Sequence, residues 1–159
     1  MTIAFNSPVL LVKDFSAMKS FYTDTLDQKI KDDFGTCISF ACGLSIWQLK
    51  PDYPISKRLG RCFSEGGNQN LELCFETDEF EASVERIKAA GVRPLHDVVE
   101  ESWGQLTFRF FDPEGNLVEL GESMPTFVKR LYNHGLSQEA IHSKTGIPKP
   151  QIHVYIGQA

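Results

Sequence analysis

A glutamate set inside a short apolar strand is the position in this chain that most needs a chemical explanation. Leu117-Val118-Glu119-Leu120 reads as a strand, and strands alternate faces, so Leu117 and Glu119 share one side while Val118 and Leu120 share the other. With both sides covered, Glu119 faces an enclosed space, where a carboxylate must be paired, protonated or bound to a metal. Upstream, Arg109 alternates with Phe108 and Phe110 and so points away from those aromatics; an arginine within a strand should meet an acid or bind an anionic substrate. His96 reads either as a general base or substrate contact, or as a surface-loop histidine. Trp103 and Gln105 flank Gly104, an aromatic wall and an amide donor of the kind that small-molecule pockets use, although Trp103 serves equally well as a core plug.

These residues must be held by a scaffold, and the pattern around them describes one. Leu106 to Phe111 is an apolar run ending in Asp112-Pro113-Glu114-Gly115-Asn116, where proline presets φ and glycine supplies the positive φ that closes a hairpin. Before it, Leu71 to Phe75 reads as a strand. Asp78 and Glu81 stand at capping-box spacing, opening a helix with Phe80, Val84 and Ile87 inward and Gly91 at its end. A strand around Val92 to Val99 follows. The first half shows the same order. Val9 to Val12 reads as a buried strand, and Asp14 caps a helix whose apolar face is Phe15, Met18, Phe21, Tyr22 and Leu26. Strand candidates follow at Lys29-Ile30, Cys37 to Ala41 and Leu44 to Leu49. Lys50 to Asn70, rich in Pro, Gly and charge, reads as a linker. The result is strand–helix–three strands, twice.

With these elements in place, "Phe21-Tyr22…Leu26", "Phe75-Glu76-Thr77-Asp78" and "Asp112-Pro113-Glu114-Gly115-Asn116-Leu117-Val118-Glu119" resemble the vicinal oxygen chelate superfamily, which includes glyoxalase I, extradiol dioxygenases and bleomycin-resistance proteins. The resemblance runs over roughly residues 5 to 122, closer in the second half than in the first. Glu72-Leu73-Cys74-Phe75-Glu76 and the spaced set His96, Glu100, Trp103, Gly104, Gln105 look closer still to a glyoxalase-related bacterial branch. The implied fold is α+β: two βαβββ modules, about residues 5–50 and 70–122, forming a curled mixed sheet around a cleft within residues 1–124, with a helical extension over 125–159.

The superfamily places one metal ligand on the first and one on the last strand of each module. By motif the second module's positions are Glu72 and Glu119. The first module's are Ser7 and either Gln48 or Trp47, with alternation favouring Gln48 because Leu44, Ile46 and Gln48 share a face. Serine is a poor ligand and no histidine remains, so the two-histidine, one-carboxylate iron site of a dioxygenase is missing. Glu72, Glu119 and Gln48 suit a hard ion such as Mg²⁺ or Mn²⁺ better than Zn²⁺ or Ni²⁺. The alternative is a metal-free site in which Glu72 and Glu119 meet Arg109, or share a proton and do acid–base work. The resemblance implies Glu72, Glu119 and His96 as catalytic groups and Trp103, Gln105, Arg109 and Gln48 as substrate contacts.

Composition narrows the classes. A net charge of -5 offers no general attraction to nucleic acid or anionic membrane. No stretch approaches the ~20 apolar residues of a membrane span, and no leader pattern opens the chain, so cytoplasmic residence is expected. Cys37, Cys42, Cys62 and Cys74 form no Cys-x-x-Cys pair and are expected to be structural, with Cys37 and Cys74 small buried hydrophobes. In the tail, Phe127, Val128, Leu131 and Tyr132 mark one helix. Ser137 caps a second, with Leu136 and Ile141 as a hydrophobic staple, and Ile152, Tyr155 and Ile156 mark a third. Their order resembles a helix-turn-helix, but its recognition helix would offer only Lys149, Gln151 and His153, so packing on the domain or at a dimer interface is expected instead of DNA binding. The expected protein is a homodimeric glyoxalase-related lyase or isomerase that moves a proton on a small oxygenated metabolite, with one divalent ion or none. The alternative is a metal-free small-molecule binding protein of the bleomycin-resistance type.

Overall fold

A computed structural model describes residues 3–59 and 70–157, which fall into two compact units. The first comprises residues up to Leu71 together with Phe111–Asn116; the second comprises Glu72–Phe110 and everything from Leu117 onward. The architecture is mixed α+β, with one mixed sheet of four strands and another of five.

In the first unit, strands β1 (Val9–Val12), β2 (Ile30–Asp33), β3 (Cys37–Phe40) and β4 (Ser45–Gln48) lie in the order β1-β4-β3-β2, with β1 and β4 parallel and the other pairs antiparallel. Helix α1 (Phe15–Ser20) opens where the Asp14 carboxylate accepts from Ala17 N at 3.0 Å, then widens into a π turn over Phe21–Thr25. Met18, Tyr22, Ile38, Phe40 and Ile46 are essentially sealed from water. The Tyr22 phenol, buried and facing Asp112, is held protonated and donates to Asp112 Oδ2 at 3.0 Å. Asp112 also takes the backbone N–H groups of Glu114 and Asn116, which ties the hairpin turn to the core of this unit, and Gly115 closes the turn at φ 86°.

Two expectations need correcting here. β1 is not a buried strand: it is the sheet's edge, with Leu10 and Val12 inward and Val9 and Leu11 exposed. The stretch expected to be pure linker contains helix α2 (Pro54–Leu59), begun by a proline whose missing N–H costs nothing in a first turn. Cys62 lies outside the described residues.

The second unit repeats the first unit's topology. Strand β5 (Glu72–Thr77) is followed by helix α3 (Phe80–Ala89), two short strands, β6 (Arg93–Pro94) and β7 (Val99–Glu100), and then β8 (Leu106–Phe111) and β9 (Leu117–Glu122). The order is β5-β9-β8-β6, with β7 also on β8 and β5 parallel to β9, so first and last strands pair in parallel in both units. The single strand expected around Val92 to Val99 is therefore two two-residue pieces. Phe80, Val84 and Ile87 are buried, as are Phe108, Phe110, Val118 and Leu120 on one sheet face; each such side chain contributes roughly 1.5–3 kcal/mol when fully buried. Asp78 does not cap α3. Its carboxylate instead accepts from the hydroxyls of Ser123 and Thr126, while Glu79 takes the N-cap position without a side-chain bond. Hydroxyl donors out-compete the helix's own N–H groups for that carboxylate.

Helices α4 (Met124–Asn133), α5 (Gln138–Thr145) and α6 (Lys149–Gly157) close the second unit. They build a core of their own from Phe127, Val128, Leu131, Ile141 and Ile152, with Leu136, Tyr155 and Ile156 packed against it. Tyr132, expected on the apolar face, is exposed. A buried ion pair fastens α4 to the sheet: Arg130 Nε donates to Glu122 Oε1 at 2.7 Å, and Arg130 Nη2 to the Gly104 carbonyl at 2.6 Å. Glu122, 2% exposed, also accepts from Leu106 N at 2.8 Å. Gly104 sits at φ 101°, a backbone conformation that calls for glycine.

Glu122→Ala strands the Arg130 charge and the Leu106 N–H. Loss of about 3–5 kcal/mol of stability is expected, read as a lower denaturant midpoint at unchanged m-value.

Candidate functional site

On the second unit's sheet, alternation sends Glu72 and Cys74 of β5, Glu119 of β9 and Thr107 and Arg109 of β8 away from the apolar face that carries Phe108, Phe110, Val118 and Leu120. Register places Cys74 directly beside Glu119 and Glu72 beside Leu117. Arg109 is the hub of this polar face. Its Nε donates to Glu72 Oε1 at 2.6 Å, its Nη1 to Glu101 Oε1 at 2.5 Å, and its Nη2 to Glu119 Oε2. Thr107 Oγ1 completes the cluster by donating to Glu101 at 3.0 Å.

Three carboxylates against one guanidinium leave surplus negative charge, and the site's protonation equilibria reflect it. Burial pushes the Glu119 carboxyl up from its usual value, and the Glu72 and Glu101 charges add to the push, although Arg109 touches it and pulls back. Its side chain is 15% exposed, the least of the three carboxylates. Glu101 moves the other way, held low chiefly by its bond to Arg109. Cys74, beside both Glu72 and Glu119, has its thiol pushed up to about 11 by burial and then by those two charges.

Of the residues expected to act, the structure therefore brings together Glu72, Glu119 and Arg109. His96 borders them: its Nδ1 lies 2.6 Å from the Asp97 carbonyl, which can only accept, so the ring proton sits on Nδ1 and leaves Nε2 as the basic nitrogen. In its protonated form the ring acts electrostatically on Glu101. Trp103 and Gln105 serve a different purpose. Trp103 Nε1 donates to Gln105 Oε1 at 3.1 Å, and Gln105 Nε2 to the Glu122 carbonyl at 2.8 Å, joining them to the anchorage of α4. Glu100, too, faces that anchorage, with Lys144 at 3.4 Å.

Gln48 belongs to the first unit, and alternation there reads opposite to expectation. Leu44 and Ile46, which share its face, are buried, so that face is the core side; Gln48 Nε2 donates to the Lys13 carbonyl at 3.3 Å. Trp47, paired with Leu11 at the third step of the β1–β4 ladder, matches Glu119 at the third step of β5–β9. Ser7 Oγ lies 3.3 Å from Ser45 Oγ. Trp47 stacks on Tyr53 at 6.1 Å between centroids, and with Pro54, Ile55 and Arg58 the two rings line a pocket of about 560 Å³.

Three members of the cluster, Glu101, Thr107 and Cys74, carry no site assignment from the sequence. Glu101 stands next to the expected Glu100 and takes the inward role. Cys74, expected to be buried, is exposed on the polar face. Its spacing of two from Glu72 in a strand was the available signal.

Glu72, Cys74 and Glu119 each offer a ligand atom, all within 4.8 Å of one another, so spacing alone admits one ion. The chemistry does not fit a resident ion. The guanidinium already bridges the two carboxylates, and the thiol is held in its protonated, weakly ligating form. Among the described residues no helix is long and apolar enough to cross a membrane.

A family model described as a glyoxalase-like domain matches residues 5–125. Among solved structures, a protein of unknown function from Agrobacterium tumefaciens str. C58 is similar at 33% identity, covering 78% of this chain and 97% of its own, with a TM-score of 0.68. A lactoylglutathione lyase from Agrobacterium tumefaciens aligns at 24% identity over 76% of this chain and 93% of its own, with a TM-score of 0.54. A glyoxalase-related enzyme from Fulvimarina pelagi aligns at 18% over 76% and 88%, with a TM-score of 0.61. At those identities the two share the fold with this chain. Comparison with curated proteins returned no match.

Cys74 reacts as thiolate, so its alkylation by iodoacetamide is expected to be slow at pH 8 and to rise with pH towards a midpoint near 11, against about 8.5 for an ordinary thiol. Peptide mass spectrometry reads the rate. Glu119→Gln removes one of the repelling charges and should shift the profile to lower pH.

Proposed function

The chain belongs to the glyoxalase-like family, and from that premise we propose that it is a lyase or isomerase which moves a proton on a small oxygenated metabolite, using Glu119 as the acid–base group. The observation that carries this reading is the placement of Glu119: a partly buried strand carboxylate, raised by burial above its usual value, with a fixed guanidinium against it. A carboxylate in that setting takes a proton from carbon next to a carbonyl more readily than a solvated one does. Arg109 keeps positive charge beside the oxygen on which negative charge then develops, without reorganising. Glu72 and Glu101 orient Arg109 through its other two edges. His96 Nε2, at the border of the cluster, is the second group able to exchange a proton.

A second reading, a metal-free binding protein, is favoured by the surplus negative charge, which would hold a small cationic ligand without chemistry. Solvent exchange separates the two. Incubation with a panel of small 2-hydroxy carbonyl compounds and hemithioacetals in D₂O should give protein-dependent deuterium incorporation at carbon, seen by proton NMR. Glu119→Gln should lower the rate at least ~100-fold, the scale of a lost general base. No incorporation across the panel, with thermal stabilisation by small amines, would favour the binding protein. Hemithioacetal isomerisation is expected to stay below a kcat/KM of ~10⁵ M⁻¹s⁻¹ with added Ni²⁺, Zn²⁺ or Mn²⁺.

A further inference from the structure

We propose that Arg109 is the resident cation of this site: its guanidinium takes the place between Glu72 and Glu119 that a divalent ion would need, so its removal converts Glu72, Cys74 and Glu119 into a zinc site. The inference deepens the proton-transfer reading by making that site self-sufficient in positive charge. It rests on the same residues but is tested by metal binding, with no turnover in the readout.

Three observations carry it. The first is the direction of the guanidinium. Nε meets Glu72 and Nη2 meets Glu119, so one planar group spans both carboxylates from a strand on the same sheet. That fork is matched to arginine, and no other side chain presents charge to two carboxylates in this way. The second is what lies beneath. Glu72, Cys74 and Glu119 have ligand atoms within 4.8 Å of one another, while tetrahedral ligands at 2.0–2.3 Å from zinc stand roughly 3.3–3.8 Å apart. The three side chains therefore need to close by at most about 1.5 Å, which strand neighbours on one face can do by side-chain rotation alone. The third is exclusion. A dication between Glu72 and Glu119 would sit within a few ångströms of Arg109, and the guanidinium is fixed there by Glu101 and Thr107 on its far edge, so it cannot simply swing aside. The positive charge is thus built into strand β8.

The donor set also fixes which ion the vacated site would prefer. Two carboxylates with one thiolate favour a borderline-soft ion, so zinc should exceed magnesium and calcium by a wide margin.

The experiment titrates Zn²⁺ by calorimetry into the chelator-treated full chain, as wild type, Arg109→Met and Arg109→Met with Glu119→Gln. Methionine keeps an unbranched stem reaching to the Nε position and removes the charged fork. The wild type is expected to show no stoichiometric binding that depends on Glu119. The Arg109→Met variant is expected to bind one zinc at least ~100-fold more tightly, and the double variant to lose that gain. Wild-type binding that disappears with Glu119→Gln would overturn the proposal, as would a folded Arg109→Met protein that gains no affinity. Should Arg109→Met fail to fold, the wild type still decides: alkylation of Cys74 unchanged by Zn²⁺ supports the proposal, and protection by Zn²⁺ overturns it. Deuterium exchange by a protein that binds zinc through Glu119 would leave the proton-transfer reading standing and remove this one alone.

Discussion

On the polar face of the second sheet three carboxylates converge on one guanidinium, and much of the local structure follows from the cost of leaving any of those charges without a partner. A strand presents side chains to a face every second residue, so Glu72, Cys74, Thr107, Arg109 and Glu119 have no choice of side once the opposite face has claimed Phe108, Phe110, Val118 and Leu120. The apolar core thus decides where the charges stand. Arg109 then answers them with three edges of one rigid plane, and Glu101, just past β7, satisfies the edge that the two strand glutamates leave.

The two units show what one topology can carry. In each, first and last strands run parallel and the last strand faces its neighbour across the same ladder. The ladder position that holds Glu119 in one unit holds Trp47 in the other, and the position of Glu72 has only Ser7 and Val9 as its counterparts nearby. The second unit keeps charge on its polar face. The first has replaced it with a stacked aromatic pair and two serines. The repeat survives in backbone pairing after its side-chain chemistry has diverged, as expected when hydrogen bonding and burial, not the site, set the fold.

Legibility in the sequence followed the strength of the local signal. Alternating apolar runs, the Asp14 cap, the Asp112-to-Asn116 turn and the Ser137 cap all rest on interactions within a few residues, and each reads correctly from the chain alone. Asp78 has the right spacing for a capping box, yet its carboxylate goes to Ser123 and Thr126, some 45 residues away in sequence, and no local rule contains that competition. Gln48 poses a related problem: alternation gives two faces without saying which is the core, and the burial of Leu44 and Ile46 marks theirs as the core side. Cys74 was misread because cysteine's usual burial outweighed its spacing from Glu72. Trp103 and Gln105 were chosen as pocket residues by their chemistry, which suits a polar anchorage as well as a ligand.

The three terminal helices carry a hydrophobic core separate from that of the sheet, and this divides the second unit into tiers of cooperative opening. Helix α4 is bound to the sheet by a desolvated carboxylate, so lifting it parts Glu122 from Arg130. Helices α5 and α6 contribute Ile141 and Ile152 to that core, and a partly exposed pair between Lys144 and Glu100 reaches from α5 beyond the tail. Their amides can therefore exchange with solvent through partial openings that leave β9 and its glutamate in place. The tail behaves as a foldon appended to a complete sheet: its outer helices can fray while Arg130 keeps α4 on Glu122.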